Sequence, residues 1–297
     1  MRYESGKASM TEPVSPAVLR RYYDLGWERR WLARMTDGGV PGDAGYKLRL
    51  RRTIDLVKAP RARPFRVLDA GCGVGIYSVN VARRFPTARV LGIDLSAVQI
   101  EAATDLADQF GVDDRVEFQT TDLTRSDLEA SLPHGWDVIL LAEILEHLPD
   151  PAPVLSTIRK LAAPGGQIIV SVPQWRPDDP GEPWISHRVL TGKANLESVE
   201  SRDPATLPPG EVFTYYHRHY RSTEVQALLL EAGLAIRHRE TVFWQRPANL
   251  TGVTWRALDY LLRQTAWNWL DRALQTVRGS EWAHNLLWDC YVPEGNR

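Results

Sequence analysis

The stretch from Phe65 to Asp94 constrains this chain more than any other. Phe65-Arg-Val-Leu-Asp-Ala-Gly-Cys-Gly-Val-Gly75 is a short apolar, β-branched run that ends in an acid, Asp69, and passes straight into three glycines. Such a run reads as a buried parallel strand feeding a tight turn. Ile76 to Phe85 then reads as a helix, and Ala88 to Asp94 as a second strand with a carboxylate at its tip. The unit is βαβ, and its glycine turn lets the backbone approach a ligand closely.

A dinucleotide fingerprint would place glycines at 71, 73 and 76, but position 76 is Ile and the third glycine is Gly75. The spacing is G-x-G-x-G behind Asp69, which resembles motif I of the class I S-adenosylmethionine (SAM) methyltransferases. That resemblance covers about Phe65 to Trp244 and implies a Rossmann-like, doubly wound seven-stranded α/β sheet. By the same resemblance, Gly71, Gly73 and Gly75 position the methionine end of SAM and Asp94 holds the ribose. Leu95 and Asp122 contact the adenine, and Asp69, Cys72, Gln99, Thr121, Leu123 and Ala142 complete the cofactor site.

The downstream pattern is regular. Ser96 with Gln99 predicts a capped helix to about Phe110, Arg115 to Thr120 a third strand, and Trp136 to Ala142 a fourth. Asp150 and Pro151 start a helix expected to stop at Gly165-Gly166, and Gln167 to Val172 is a fifth strand. Strands alternating with helices predict a parallel sheet whose ligands lie at the carboxyl ends of the strands, where Gly71, Asp94, Asp122 and Glu143 all fall. Ser222 is expected to cap a helix to Glu231, with Gly233 as its stop. Leu234 to Trp244 and Leu286 to Val292 are the sixth and seventh strands, paired antiparallel by the family pattern.

The flanks read differently. Residues 1–64 are expected to form an N-terminal helical cap ahead of a methyltransferase domain over 65–297. The cap includes an aromatic segment with Tyr22, Tyr23, Trp27 and Trp31, then an arginine-rich amphipathic helix over Tyr46 to Lys58. Pro173 to Phe213 is proline-rich and lacks a clear period, as a lid or substrate loop over about 173–214 would. A Trp-rich amphipathic helix over Val253 to Val277 lies in an insertion over 245–285, open to roles as substrate roof, plain packing, dimer contact or membrane-surface contact. Tyr22, Tyr23, Trp27 and Trp175 are the substrate-facing candidates.

Glu143, Glu146 and His147 stand at i, i+3 and i+4 after the fourth strand, so a helical turn would project all three to one face. With His217 they resemble the Glu-x-x-Glu-His plus distant His site of the small-RNA 3′-terminal 2′-O-methyltransferases, and the first part also occurs in the ubiquinone-biosynthesis O-methyltransferases. That resemblance implies a site for Mg2+, Mn2+ or Zn2+ that polarises an acceptor hydroxyl. The alternative is metal-free: Glu143, His147 or His217 as base or substrate contact, or plain packing.

Composition narrows the class. With 36 basic and 37 acidic residues there is no general electrostatic case for nucleic acid or a lipid surface. Two cysteines, Cys72 and Cys290, point to neither a disulfide framework nor a zinc cluster, and a reducing cytoplasm is the expected location. No long apolar run suits a membrane span. The expectation is a SAM-dependent methyltransferase acting on a small, apolar or aromatic metabolite, with transfer to oxygen favoured. The alternatives are metal-independent transfer to carbon or nitrogen in natural-product biosynthesis, or a non-catalytic SAM-binding subunit. A homodimer stays open.

Overall fold

The computed structural model describes residues 20, 44–60, 63–175, 184–190, 212–244 and 283–294. The leading βαβ unit forms as expected: β1 (Phe65–Ala70), α2 (Ile76–Arg84) and β2 (Ala88–Asp94), preceded by helix α1 (Ala44–Leu56). The chain continues through α3 (Ala97–Gln109), β3 (Val116–Thr120), a short α4 (Leu128–Ser131), β4 (Trp136–Ala142), α5 (Pro151–Leu161) and β5 (Ala162–Pro173). It then adds β6 (Trp184–Leu190), β7 (Val212–Arg218), α6 (Ser222–Glu231), β8 (Ala235–Trp244) and β9 (Ala283–Tyr291).

Seven strands make one sheet in the order β3-β2-β1-β4-β5-β9-β8. The first five are parallel, and β9 pairs antiparallel with both β5 and β8. The central strands are apolar along their length because both faces are covered: Phe65, Val67, Leu68, Val138, Ile139, Leu140 and Leu141 are fully buried. Leu48 and Ile54 of α1, with Val57 just beyond its end, share one apolar cluster with Val79, Val81, Ala102 and Leu106 of α2 and α3. On the opposite face Leu155 and Ile158 of α5 pack with Val225 and Leu229 of α6. The crossovers thus fill both layers, and the tips of β1, β2 and β4 meet at one crevice.

Local signals account for the helix starts. Ser96 accepts the Gln99 amide at 3.2 Å and Asp150 accepts the Ala152 amide at 3.0 Å. At α6 the cap sits one residue earlier than expected: Glu224 reaches back to the Arg221 amide at 2.7 Å. Helix α5 stops at Leu161, earlier than the Gly165-Gly166 stop, because β5 begins at Ala162 and is longer than expected.

The proline-rich excursion after β5 is not without structure. Its two arms, β6 and β7, form a separate antiparallel ribbon, with Trp184 opposite Arg218 and Leu190 opposite Val212. The excursion is pinched at its base, where Trp175 N donates to Tyr220 O and Tyr220 N to Pro173 O, both at 2.9 Å. Tyr22, Tyr23 and Trp27, and the amphipathic stretch 253–277, lie outside the described residues. No helix among those described is long and apolar enough to cross a membrane.

Candidate SAM site and acceptor-side turn

The Gly71–Gly75 turn leaves β1 with positive φ at each of its three glycines: 81°, 52° and 77°. At Gly71 the fit is closed as well as left-handed, since a Cβ there would lie 2.5 Å from Ile144 Cδ1. At Gly75 it would meet Ala103 Cβ and Phe118 Cζ at 2.8 Å. The amides of Gly71 and Cys72 are tied to Ile93 O at 2.8 and 2.9 Å, which holds the turn against the end of β2. These residues cannot be exchanged for larger ones without moving the crevice wall.

Asp94, at the tip of β2, organises the rest. Its Oδ2 accepts the Gly73 amide and its Oδ1 the Ser96 amide, both at 2.9 Å. A carboxylate oxygen can accept more than one hydrogen bond, and an acid at this strand tip is the kind of group that holds the hydroxyls of a ribose. Asp69 lies deeper. Its Oδ2 accepts from Ser78 Oγ at 2.6 Å, while its buried Oδ1 has no hydrogen-bond partner among the described residues. Burial raises its pKa to about 6, against the opposing pull of the Ser78 bond. A buried carboxylate with an unspent oxygen beside the glycine turn suits a cationic group, and the ammonium of the methionine end is one.

The end of β3 and the turn over residues 121–124, expected from the resemblance to face the adenine, lie beside Asp94. Thr121 N donates to Asp94 O at 2.7 Å, and the buried Thr121 Oγ1 has no partner among the described residues. Asp122 Oδ1 accepts from Thr124 N and Oγ1 at 2.8 and 2.7 Å. Leu95 is half-buried, and Leu123, Cys72, Gln99 and Ala142 are buried. The residues present therefore fit SAM: a glycine cradle, a carboxylate for the sugar, and a buried carboxylate for the ammonium.

The acceptor side departs from expectation. Glu143 does not begin a helical turn. Its φ is 58°, the one positive φ at a non-glycine among the described residues. Only Leu145–His147 coil, as a 3-10 turn. The Glu143 carboxylate is surrounded by donors: Arg49 Nη1 at 2.5 Å, Asn285 Nδ2 at 2.9 Å and Ser171 Oγ at 2.9 Å. Arg49 Nε also donates to Tyr77 OH at 3.3 Å. Glu146 is buried, and burial, with the Glu143 charge next in size, raises its pKa well above the carboxylate range. Its Oε1 lies 3.8 Å from His147 Nε2, and its Oε2 has no hydrogen-bond partner among the described residues.

The expected shared face of Glu143, Glu146 and His147 is thus corrected, because a left-handed residue breaks the i, i+3, i+4 geometry. The described residues contain no grouping of His, Cys, Asp and Glu that could hold a metal ion. A guanidinium stands where Glu143 would need to face a cation, so Glu143, Glu146 and His147, as arranged here, do not fit Mg2+, Mn2+ or Zn2+. The backbone of His217 lies in β7, opposite Ile185, and β7 packs against the Leu145–His147 turn. The His217 side chain lies outside the described residues. Trp175 is half-buried at the rim after β5, with Arg221 stacked 4.8 Å from its ring centre.

Sequence reasoning missed Arg49, Ser171, Asn285 and Tyr77. Only the arginine-rich character of α1 hinted at the first.

A family model described as a methyltransferase domain matches residues 44–239, more than half of the chain. The chain belongs to this family. With the sheet order above, it is a member of the class I SAM-dependent methyltransferases. This methyltransferase is 41% identical over 106 residues to the ubiquinone biosynthesis O-methyltransferase of Aeromonas salmonicida, covering 36% of its own chain and 42% of the relative. It is 30% identical over 233 residues to a "Probable tocopherol O-methyltransferase, chloroplastic" of Oryza sativa subsp. japonica, covering 73% of its own chain and 54% of the relative. The methyltransferase thus spans about half the length of these relatives or less.

Among solved structures, the magnesium protoporphyrin IX methyltransferase of Synechocystis PCC 6803 superimposes with a TM-score of 0.56 at 17% identity. That match covers 94% of this chain and 100% of that one. A cyclase matches with a TM-score of 0.59 at 20% identity, covering 95% of this chain and 98% of that one. At such identities the likeness is one of fold alone, and the cyclase illustrates that this fold does not dictate a reaction.

Proposed function

We propose that the chain transfers the methyl group of SAM to a small, apolar or aromatic acceptor, with transfer to oxygen favoured. The observation that carries this reading is the Gly71–Gly75 turn locked onto Asp94, which leaves a sugar-binding carboxylate beside a backbone open to close approach. The names of the ubiquinone and tocopherol relatives support a small acceptor and an O-methyl product.

Bound SAM supplies an electrophilic methyl group on a sulfonium. The chain's own work is then orientation. Asp94 and Asp69 hold the ribose hydroxyls and the ammonium, and the glycine turn admits the backbone of the methionine portion. Fixing donor and acceptor in line and excluding water can supply about 7–11 kcal/mol of the barrier. A general base would add a factor of about 10² to 10⁴. Glu143 is a poor candidate for that base, since its carboxylate already accepts three hydrogen bonds. His147, with His217 on the neighbouring ribbon, is the better one. The same reading assigns residues 1–64 to a helical cap, 173–214 to a lid or substrate loop, and the 245–285 insertion to a substrate roof, plain packing, a dimer contact or a membrane-surface contact, with a cytoplasmic location for the protein.

A second reading, metal-free transfer to carbon or nitrogen, is favoured by the engagement of Glu143 with Arg49. Calorimetry with SAM and S-adenosylhomocysteine tests the donor site. Incubation with SAM and a panel of catechols, phenols and aromatic amines, read by mass spectrometry, tests transfer. Failure to bind either nucleotide overturns the proposal. Binding without transfer to any acceptor in a crude metabolite extract would favour a SAM-binding subunit.

A further inference from the structure

Glu143 combines a backbone conformation that an L residue seldom adopts with a carboxylate gripped from three directions. The grip comes from α1 through Arg49, from β5 through Ser171, and from β9 through Asn285. Its amide also donates to Ser171 O at 2.9 Å, which carries the β4–β5 ladder one residue past the strand. A conformation held against its preference persists only where the surroundings over-determine it. Here three donors do so.

The reversal at Glu143 has a visible product. The next residue, Ile144, turns back so that its side chain lies directly against Gly71. Ile144 is therefore the floor of the glycine turn. With Glu143 in an extended or right-handed conformation, the chain would leave β4 in another direction and Ile144 would not reach Gly71.

We infer that Glu143 is a positioning residue for the donor: its clamped carboxylate fixes a left-handed turn that sets Ile144 beneath Gly71 and so shapes the cradle of the methionine end. This inference rests on the SAM reading above, and it takes Glu143 out of the metal and base roles. Arg49, Ser171 and Asn285 act through Glu143, so the donor cradle depends on the docking of α1 and β9 as well as on the glycines.

The test is the affinity of the full chain for SAM and for S-adenosylhomocysteine, measured by calorimetry with melting temperature recorded alongside. Glu143→Ala removes the clamp and keeps the unfavourable backbone, and should weaken both ligands about tenfold. Glu143→Gln can turn its one carbonyl oxygen to Arg49 and Asn285 while its amide NH2 donates to Ser171 Oγ, and should recover most of that loss. Ile144→Ala leaves the clamp intact, removes the floor, and should weaken both ligands by a similar factor, which keeps the inference testable if Glu143→Ala fails to fold. Unchanged affinity in Ile144→Ala, or Glu143→Gln as weak as Glu143→Ala, would overturn the inference while the SAM reading stood. An unaltered chain that binds neither ligand would overturn both.

Discussion

The Asp94 carboxylate accepts the Gly73 amide at 2.9 Å, so the tip of β2 holds the middle of the glycine turn as well as facing the crevice. Replacing Asp94 by Ala should therefore do two things at once. It removes the carboxylate proposed for the ribose, and it removes the acceptor of the Gly73 and Ser96 amides. Hydrogen bonds to a charged group contribute about 1.5–3 kcal/mol each, so SAM affinity should fall by at least tenfold. Asp94→Asn, which keeps one acceptor oxygen, should fall between. Equal affinity in all three proteins by calorimetry would refute the assignment.

Asp69 predicts a pH dependence. Burial raises its pKa from 3.8 to about 6, so the folded chain holds this proton more tightly than the unfolded one. Stability should fall as pH rises from about 4 to about 6, by an amount on the order of 3 kcal/mol, and stay lowered above that window. Donor affinity should move the other way, rising as Asp69 ionises to meet the ammonium. Asp69→Asn should flatten both profiles, in denaturant titrations and in calorimetry across pH 4 to 8.

Glu146 should behave similarly in stability. Its raised pKa, from burial and then the Glu143 charge, means that ionisation at higher pH favours the unfolded chain. Glu146→Gln should raise the melting temperature at pH 8 more than at pH 5, by about 2–4 °C for each kcal/mol recovered. An identical pH profile in wild type and variant would contradict the burial of this carboxyl.

Gly75→Ala should be severe. The position has φ 77°, and the new methyl carbon would lie 2.8 Å from Ala103 and Phe118. A drop in melting temperature together with loss of SAM binding is expected. A variant that binds SAM normally would show that the turn can yield.

Chelation offers a direct check on the corrected acceptor side. Because Arg49 occupies the Glu143 carboxylate, extended dialysis against a chelator should leave methyl transfer unchanged. Activity lost on dialysis and restored by Mg2+, Mn2+ or Zn2+ would show that the cluster rearranges around a cation.

The parts legible in the sequence were those encoded locally. The β1 and β2 runs, the glycine spacing, the Ser96 cap and the Gly233 stop each depend on residues a few positions apart. The clamp on Glu143 was illegible for the opposite reason. Arg49, Ser171 and Asn285 lie 94, 28 and 142 positions away, and no periodicity links them. The β6–β7 ribbon was missed although Val212-Phe-Thr-Tyr-Tyr-His-Arg218 is β-branched and aromatic, a strand signal outweighed by the prolines around it. The Glu-x-x-Glu-His spacing misled because it presumes helix where one left-handed residue intervenes.

The pinch between Trp175 and Tyr220 carries a last consequence. The excursion that bears β6 and β7 leaves and returns at one place, closed by two backbone hydrogen bonds between Tyr220 and the end of β5. Lengthening such an arm costs entropy only logarithmically. Longer or shorter arms could be accommodated at that junction without breaking the hydrogen bonds that close it, but because β7 packs on the Leu145–His147 turn, one residue beyond Ile144, a change in the arm would be felt at the glycine turn too.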